Sequence, residues 1–216
     1  MALKGRMSRT ILTASFLALD LSLVFYLNVQ SMPGKIGARQ TAHVSSINVT
    51  KVNKIEETGI ARSVAVNNEL SFPIVQQPQG EPNYVSTSNG ELTLFSSASK
   101  YGNIGLLAHN YLSGKSFTNL SVGQEIHLVY EDGESEYFVV SEILQYQALD
   151  PENPFSSFQN INNKNETLTA QQMFERVYEG TRHLTFQTCI AKYGESSWGR
   201  LFVVAVPEIA SLSLMH

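Results

Sequence analysis

The sequence predicts an all-β fold, a mostly antiparallel barrel or sandwich of about 150 residues, and three observations carry that prediction. Short apolar–polar alternations of strand length recur along the chain from position 60 onward. Two of them, residues 125–130 (EIHLVY) and 136–143 (EYFVVSEI), flank an Asp132-Gly133 pair, the usual chemistry of a hairpin turn. Outside the N-terminus one segment, residues 169–178, has strong helical periodicity, so the pattern lacks βαβ alternation.

In chain order, Lys4, Arg6 and Arg9 precede an apolar run at 11–29, interrupted mainly by Asp20. A basic start followed by 19 apolar-rich positions predicts an export signal, retained as a signal-anchor helix in preference to being cleaved. The basic flank places residues 1–29 with their start in the cytoplasm and the remainder outside the cell membrane, as a single-pass protein. Residues 30–59, rich in Ser, Thr, Asn, Lys and Gly, predict a polar stalk, and 60–216 the folded domain.

Within the domain, 60–66, 70–75, 91–97 and 105–109 predict strands, with a turn-rich connection at 76–90. The central hairpin at 125–143 follows. His127 lies inside its first strand among apolar neighbours and reads as structural. Residues 150–166 form a long polar loop with two prolines, a length at which loops are usually functional. Thr169 and Gln172 make a capping-box pattern for the helix, which ends before Gly180. Two last strands follow, at 184–190 and 201–206, joined by KYGESSWG.

Composition bounds the function. The 216 residues are 43% hydrophobic and 16% charged, as in packed globular proteins. A net charge of -4 without a basic block excludes nucleic acid as the expected partner. One cysteine rules out an intramolecular disulfide and any zinc site built on several thiolates, and the five histidines have no ligand spacing. No metal or cofactor is expected. A single thiol in an exported chain is unusual, because oxidising compartments favour paired cysteines.

That thiol, Cys189, sits where one strand opens into a loop, and Arg200 where the next strand begins. If the two strands pair, thiol and guanidinium meet at one end of the sheet, and a nearby cation favours the nucleophilic thiolate. His109, at another strand end, supplies a general acid or base. Taken singly, Cys189 and Arg200 have plainer readings, as a buried small side chain and a surface charge. The order His before Cys argues against a papain-like protease, and the absence of Ser-x-Gly-Cys against an L,D-transpeptidase.

With these residues the chain resembles the sortases, membrane-anchored cysteine transpeptidases of the bacterial surface. Leu107-Ala108-His109-Asn110 is similar to the family's strand-end histidine motif, with Ala108 where many members have Gly. FTNLSVGQEI at 117–126, followed by Val129, Tyr130 and Gly133, resembles the run into the central hairpin. LTFQTC at 184–189 and Arg200 in GRLFVVA resemble the threonine-cysteine strand and the arginine opening the last strand. The resemblance covers about residues 91–207 and leaves the subclass open.

It implies an eight-stranded β barrel with one or two short helices, in which Cys189 attacks a backbone carbonyl of a C-terminal sorting motif. His109 serves the leaving amine, and Arg200 the oxyanion or the substrate backbone. An amine of a peptidoglycan precursor or a pilin lysine then resolves the thioester. Thr188, Asn110, Phe155, Phe158 and Met173 are the implied substrate contacts, although packing explains the last three equally well. Some sortases bind calcium through loop carboxylates, but a solvated hairpin tip accounts for Glu131, Asp132 and Glu134, and calcium is not predicted. An inert surface adaptor and a thiol hydrolase using the same residues stand as alternatives.

Overall fold

The structure is a computed structural model, and it describes residues 59–208 apart from 68 and 154. The expected signal-anchor at 1–29 and the stalk at 30–58 lie outside the described residues. Among the described residues no helix is long and apolar enough to cross a membrane.

Among the described residues ten strands form one sheet: β1 (Ala61–Val66), β2 (Leu70–Gln76), β3 (Leu92–Leu94), β4 (Ile104–Leu107), β5 (Glu125–Tyr130), β6 (Ser135–Ala148), β7 (Phe158–Asn160), β8 (Thr167–Leu168), β9 (Leu184–Lys192) and β10 (Glu195–Pro207). Their order is β10-β9-β4-β3-β2-β1-β5-β6, and β6 bonds back to β10. Eight strands therefore close a barrel, which removes the edges an open sheet would expose. β7 and β8 hang on β6 outside the ring. Only β2–β3 and β4–β9 pair in parallel. Closure in eight strands is what the resemblance implied.

Several boundaries differ from the sequence reading, each for a local reason. The strand expected at 91–97 stops at Leu94, and Ser96–Ser99 form a short helix, α1, whose entry is fixed by Gln77 Oε1 accepting from the Ser96 N–H and Oγ. The expected loop at 150–166 contains β7. The loop expected at 192–199 is mostly strand: Lys192 pairs with Glu195 across Tyr193-Gly194, both at positive φ (55° and 85°), a two-residue primed hairpin turn. Cys189 and Arg200 consequently lie inside strands rather than at their ends.

β6 runs five residues beyond the expected 143. Its partner register jumps from Val204↔Glu142 to Ala205↔Val140, so Ser141 is an extra residue, a bulge whose Oγ donates to the Val204 carbonyl at 3.1 Å. One added residue swaps the faces of the strand. Before the bulge Phe138 and Val140 point into the barrel; after it Leu144, Tyr146 and Ala148 point outward.

Two apolar clusters result. The inner one fills the barrel with Val64, Leu92, Leu106, Ile126, Leu128, Phe138, Phe186 and Val203 among others, and the outer one lies between the barrel wall and helix α2 (Ala170–Tyr178). The helix begins on the capping box read from the sequence, with Thr169 Oγ1 accepting from Gln172 N and Gln172 Oε1 from Thr169 N. Its buried face is Ala170, Met173, Phe174, Val177 and Tyr178. At its end Thr185 Oγ1 donates to the Val177 carbonyl, which His183 Nε2 also approaches at 2.9 Å, so β9 is tied to the helix just ahead of the cysteine.

Candidate active site

Register decides which groups meet. β4 and β9 run parallel with a constant offset, Ile104↔Leu184 through Leu107↔Gln187. The offset persists past the end of β4: the Ala108 N–H donates to Gln187 O, and Thr188 Oγ1 donates to Ala108 O at 2.8 Å. His109 follows Ala108 directly after this contact, as Cys189 follows Thr188. On the other side of β9, Arg200 pairs directly with Cys189. Cys189 and Arg200 thus form one row across β9 and β10, about 4.8 Å apart, with His109 two residues past the end of β4 on the other side of β9.

Alternation sets the face. Ala108 and Leu201 belong to the inner cluster, and Thr188, 3% exposed, also faces inward. Their neighbours in the row therefore turn outward. This is the face that Phe202, Val204 and Leu107 share with the outer cluster under α2.

Arg200 is 1% exposed. Its Nη1 donates to the Ser197 and Gly199 carbonyls, both at 3.0 Å, and its guanidinium carbon lies 5.8 Å from the centre of the Phe158 ring. β7 therefore folds Phe158 over the arginine, an arrangement worth about 0.5–2 kcal/mol and specific to a planar cation. A permanent charge held this firmly in a poorly solvated place acts strongly on any charge that develops beside it.

His109 is buried, with Tyr111 stacked on it (centroids 5.2 Å apart, 20° between planes). Burial pushes its pKa below the ordinary imidazole value, while a hydrogen bond to the Val85 backbone carbonyl works in the opposite direction. Val85 belongs to the turn-rich connection 77–91. That segment is held by Gln77 Nε2 on the Pro82 and Tyr84 carbonyls, by Ser86 N on Thr93 Oγ1 and by Gly90 N on Ser113 Oγ. Cys189 is partly exposed.

The implied substrate contacts occupy varied places. Thr188 Oγ1 is a buried tie from β9 to the end of β4. Directly against it lies Gly114 of the 3-10 helix Ser113–Asn119, where an added Cβ would stand 2.3 Å from that oxygen. Asn110 Nδ2 donates to the Ser196 carbonyl at 2.9 Å, joining the histidine loop to the β9–β10 hairpin. Phe158 and Met173 are fully buried in the outer cluster, and Phe155 is half exposed. His127 stacks on Tyr137 on the far wall of the barrel, away from the row.

The sequence reading missed Gly114, Tyr111, Val85 and the pair Glu195–Ser197. Glu195 Oε1 accepts from both Ser197 N and Oγ, and these bonds together with the Arg200 charge hold its carboxyl below the usual range. A Glu two positions before a Ser after a Tyr-Gly turn is a weak signal for such a turn; the close approach of Gly114 leaves none. Among the described residues no three His, Cys, Asp or Glu side chains group to hold a metal. Asp132 Oδ1 instead accepts from Glu134 N at the hairpin tip. A cavity of about 300 Å3 lined by Gln76, Asn103, Tyr130 and Arg182 lies at the opposite end of the barrel, where β4 begins.

No protein-family model and no curated protein sequence matches the chain. The solved structures it is similar to include sortases. Sortase C1 of Streptococcus agalactiae is 16% identical, with a TM-score of 0.44 over 67% of this chain and 65% of that one. Sortase A of Listeria monocytogenes is 15% identical, with a TM-score of 0.44 over 69% and 87% of the two chains. Sortase C1 of Streptococcus suis is 13% identical, with a TM-score of 0.46 over 69% and 73%. The chain thus spans just under two thirds of the length of the Streptococcus agalactiae protein. At such identities and scores the likeness carries no activity over to this chain.

Proposed function

We propose that the chain is a cysteine transpeptidase of the sortase type. The observation that supports this reading is the placement of the three residues: Cys189 paired with buried Arg200 on one side, and buried His109 just past the end of the strand that pairs with β9 on the other. An inert module has no need to bury a guanidinium beside its single thiol.

The steps follow from the groups present. Because burial lowers the His109 pKa, the resting ring is mainly neutral at pH 7 and takes the Sγ proton as sulfur attacks a peptide carbonyl. The carbonyl oxygen becomes an oxyanion, stabilised by the Arg200 charge. The C–N bond breaks, the imidazolium delivers its proton to the departing amine, and a thioester remains on Cys189. An acceptor amine then attacks the thioester, His109 takes up the amine's extra proton, and the thiolate leaves.

The substrate is a sorting-motif peptide near the C-terminus of a secreted protein, and the acceptor is an amine of a peptidoglycan precursor or a pilin lysine. Residues 1–29 anchor the enzyme in the cell membrane with 60–216 outside. The reaction uses no metal or cofactor.

The test is a product partition. The full chain is incubated with Leu-Pro-x-Thr-type peptides at rising concentrations of a simple amine, and amide and acid products are quantified. Transpeptidation is expected to show amide rising at the expense of acid. A ratio fixed at hydrolysis at every amine concentration would make the enzyme a thiol hydrolase, and no product from any peptide would favour an adaptor.

A further inference from the structure

Between Glu195 and Gly199 strand β10 leaves regular register. Lys192 pairs with Glu195 and Ile190 with Gly199, so Ser196, Ser197 and Trp198 stand opposite Ala191 alone. The bulge carries two extra residues and is separated from Arg200 by Gly199 alone. Its carbonyls hold the site together: Ser196 O accepts from Asn110 of the histidine loop, and Ser197 O and Gly199 O accept from Arg200 Nη1. Gly199 permits the approach to β6, since a Cβ there would lie 2.4 Å from the Tyr146 carbonyl.

Something must fix the shape of a bulge lacking regular pairing, and the Glu195 carboxylate does so. Its Oε1 accepts from Ser197 N at 2.9 Å and Ser197 Oγ at 2.8 Å, which aims the Ser197 carbonyl back at Arg200. On the other side of the hairpin Lys192 Nζ lies 4.6 Å from the Trp198 ring centre.

We propose that Glu195 is a positioning residue that sets Arg200 opposite Cys189 by clamping the β10 bulge through Ser197. The proposal rests on the reading of Arg200 given above, because it says how that cation is held rather than what it does. Glu195 need not touch substrate. It acts through two hydrogen bonds and one carbonyl.

The experiment measures alkylation of Cys189 by iodoacetamide at fixed pH, by intact mass of the full chain, in wild type, Glu195→Ala, Glu195→Gln, Arg200→Ala and the Glu195→Ala/Arg200→Ala double variant. The rate of thioester formation with a reactive peptide is followed in parallel. Glu195→Ala is expected to slow both reactions by about fivefold, within the range for residues coupled in one hydrogen-bond network. Glu195→Gln keeps an oxygen for Ser197 and is expected to stay within about twofold of wild type, as a conserved acceptor implies. The double variant is expected to match Arg200→Ala, a non-additivity that general loss of stability does not produce.

The sign of the effect separates positioning from simple electrostatics. Removing a negative charge near the thiol without moving Arg200 would favour the thiolate and speed alkylation. Glu195→Ala reacting as fast as wild type or faster, with Arg200→Ala slow, would overturn the proposal and leave the function standing. Arg200→Ala forming the thioester as fast as wild type would overturn the functional reading and the positioning role with it. If Glu195→Ala does not fold, Ser197→Ala, which loses only the Oγ donor, replaces it. An intermediate rate is then expected, and a wild-type rate overturns the proposal.

Discussion

Replacing Gly114 by Ala tests the packing beneath the site with a single methyl group. Gly114 is not at a positive φ, so its backbone conformation accepts an L side chain. In open space the change would stabilise the chain by about 0.4–1 kcal/mol, through lost freedom in the unfolded state. Space is what is missing. The new Cβ would stand 2.3 Å from Thr188 Oγ1, 2.7 Å from Ala108 O and 2.8 Å from His109 O. Two of these neighbours are backbone and cannot rotate away. Overpacking of this kind costs about 1–3 kcal/mol. Displacing Thr188 from Ala108 O forfeits a further hydrogen bond worth about 0.5–1.5 kcal/mol. The net expectation is destabilisation of about 2 kcal/mol, or about 4–8 °C in Tm for a domain of this size. Urea unfolding of wild type and Gly114→Ala, followed by Trp198 fluorescence, measures it. Cys189 alkylation should change as well, because Thr188 and Ala108 adjoin Cys189 and His109. A midpoint equal to or above that of wild type would refute the seating of the 3-10 helix on Thr188.

Three further outcomes are expected. Arg200→Lys keeps the charge but loses the planar fork that serves Ser197 O and Gly199 O and stacks on Phe158, so thioester formation should fall by about 10²–10³-fold, close to Arg200→Ala; recovery by Lys to near wild type would show that charge alone suffices. Burial lowers the His109 pKa, so as pH falls the unfolded chain takes the proton first. The stability this residue contributes is therefore complete above about 6.5 and is lost as pH falls through the window between that value and the lower folded one. Wild type should lose more of its urea midpoint than His109→Gln between neutral and acidic pH, and equal losses would contradict this. Thr169→Ala removes the capping box and should cost about 1 kcal/mol, seen as faster amide exchange in α2 around Met173 and Phe174; unchanged exchange would mean the cap is not limiting.

The sequence made the hairpins and the chemistry legible for different reasons. The β5–β6 turn was readable because Asp132-Gly133 is a local signal, and α2 because its cap and its apolar face repeat within one segment. His109, Cys189 and Arg200 stood out as rare residue types near strand ends, and the meeting of Cys189 with Arg200 needed only the assumption that β9 and β10 pair; the parallel pairing of β4 with β9 has no local signal. The full length of β6 was hidden by its own bulge. At Ile143-Leu144 two apolar residues adjoin because the faces swap at Ser141, so the alternation changes phase there without the strand ending. The β9–β10 connection looked like a loop because Gly and Ser cluster there, yet its carbonyls are bound by Arg200 and Asn110 from distant positions. Contacts of that kind, like those of Gly114 with Thr188 and Val85 with His109, join residues far apart in the chain and have no local sequence pattern.

The most direct test of the central claim is the mass of the intact chain after brief exposure to a panel of sorting-motif peptides at neutral pH, compared with Cys189→Ala. A mass increase equal to the N-terminal peptide fragment, mapped to Cys189, lost on adding an amine and absent from Cys189→Ala, is the expected result. A chain whose mass stays unchanged with every peptide, and whose thiol also resists small electrophiles, would contradict it.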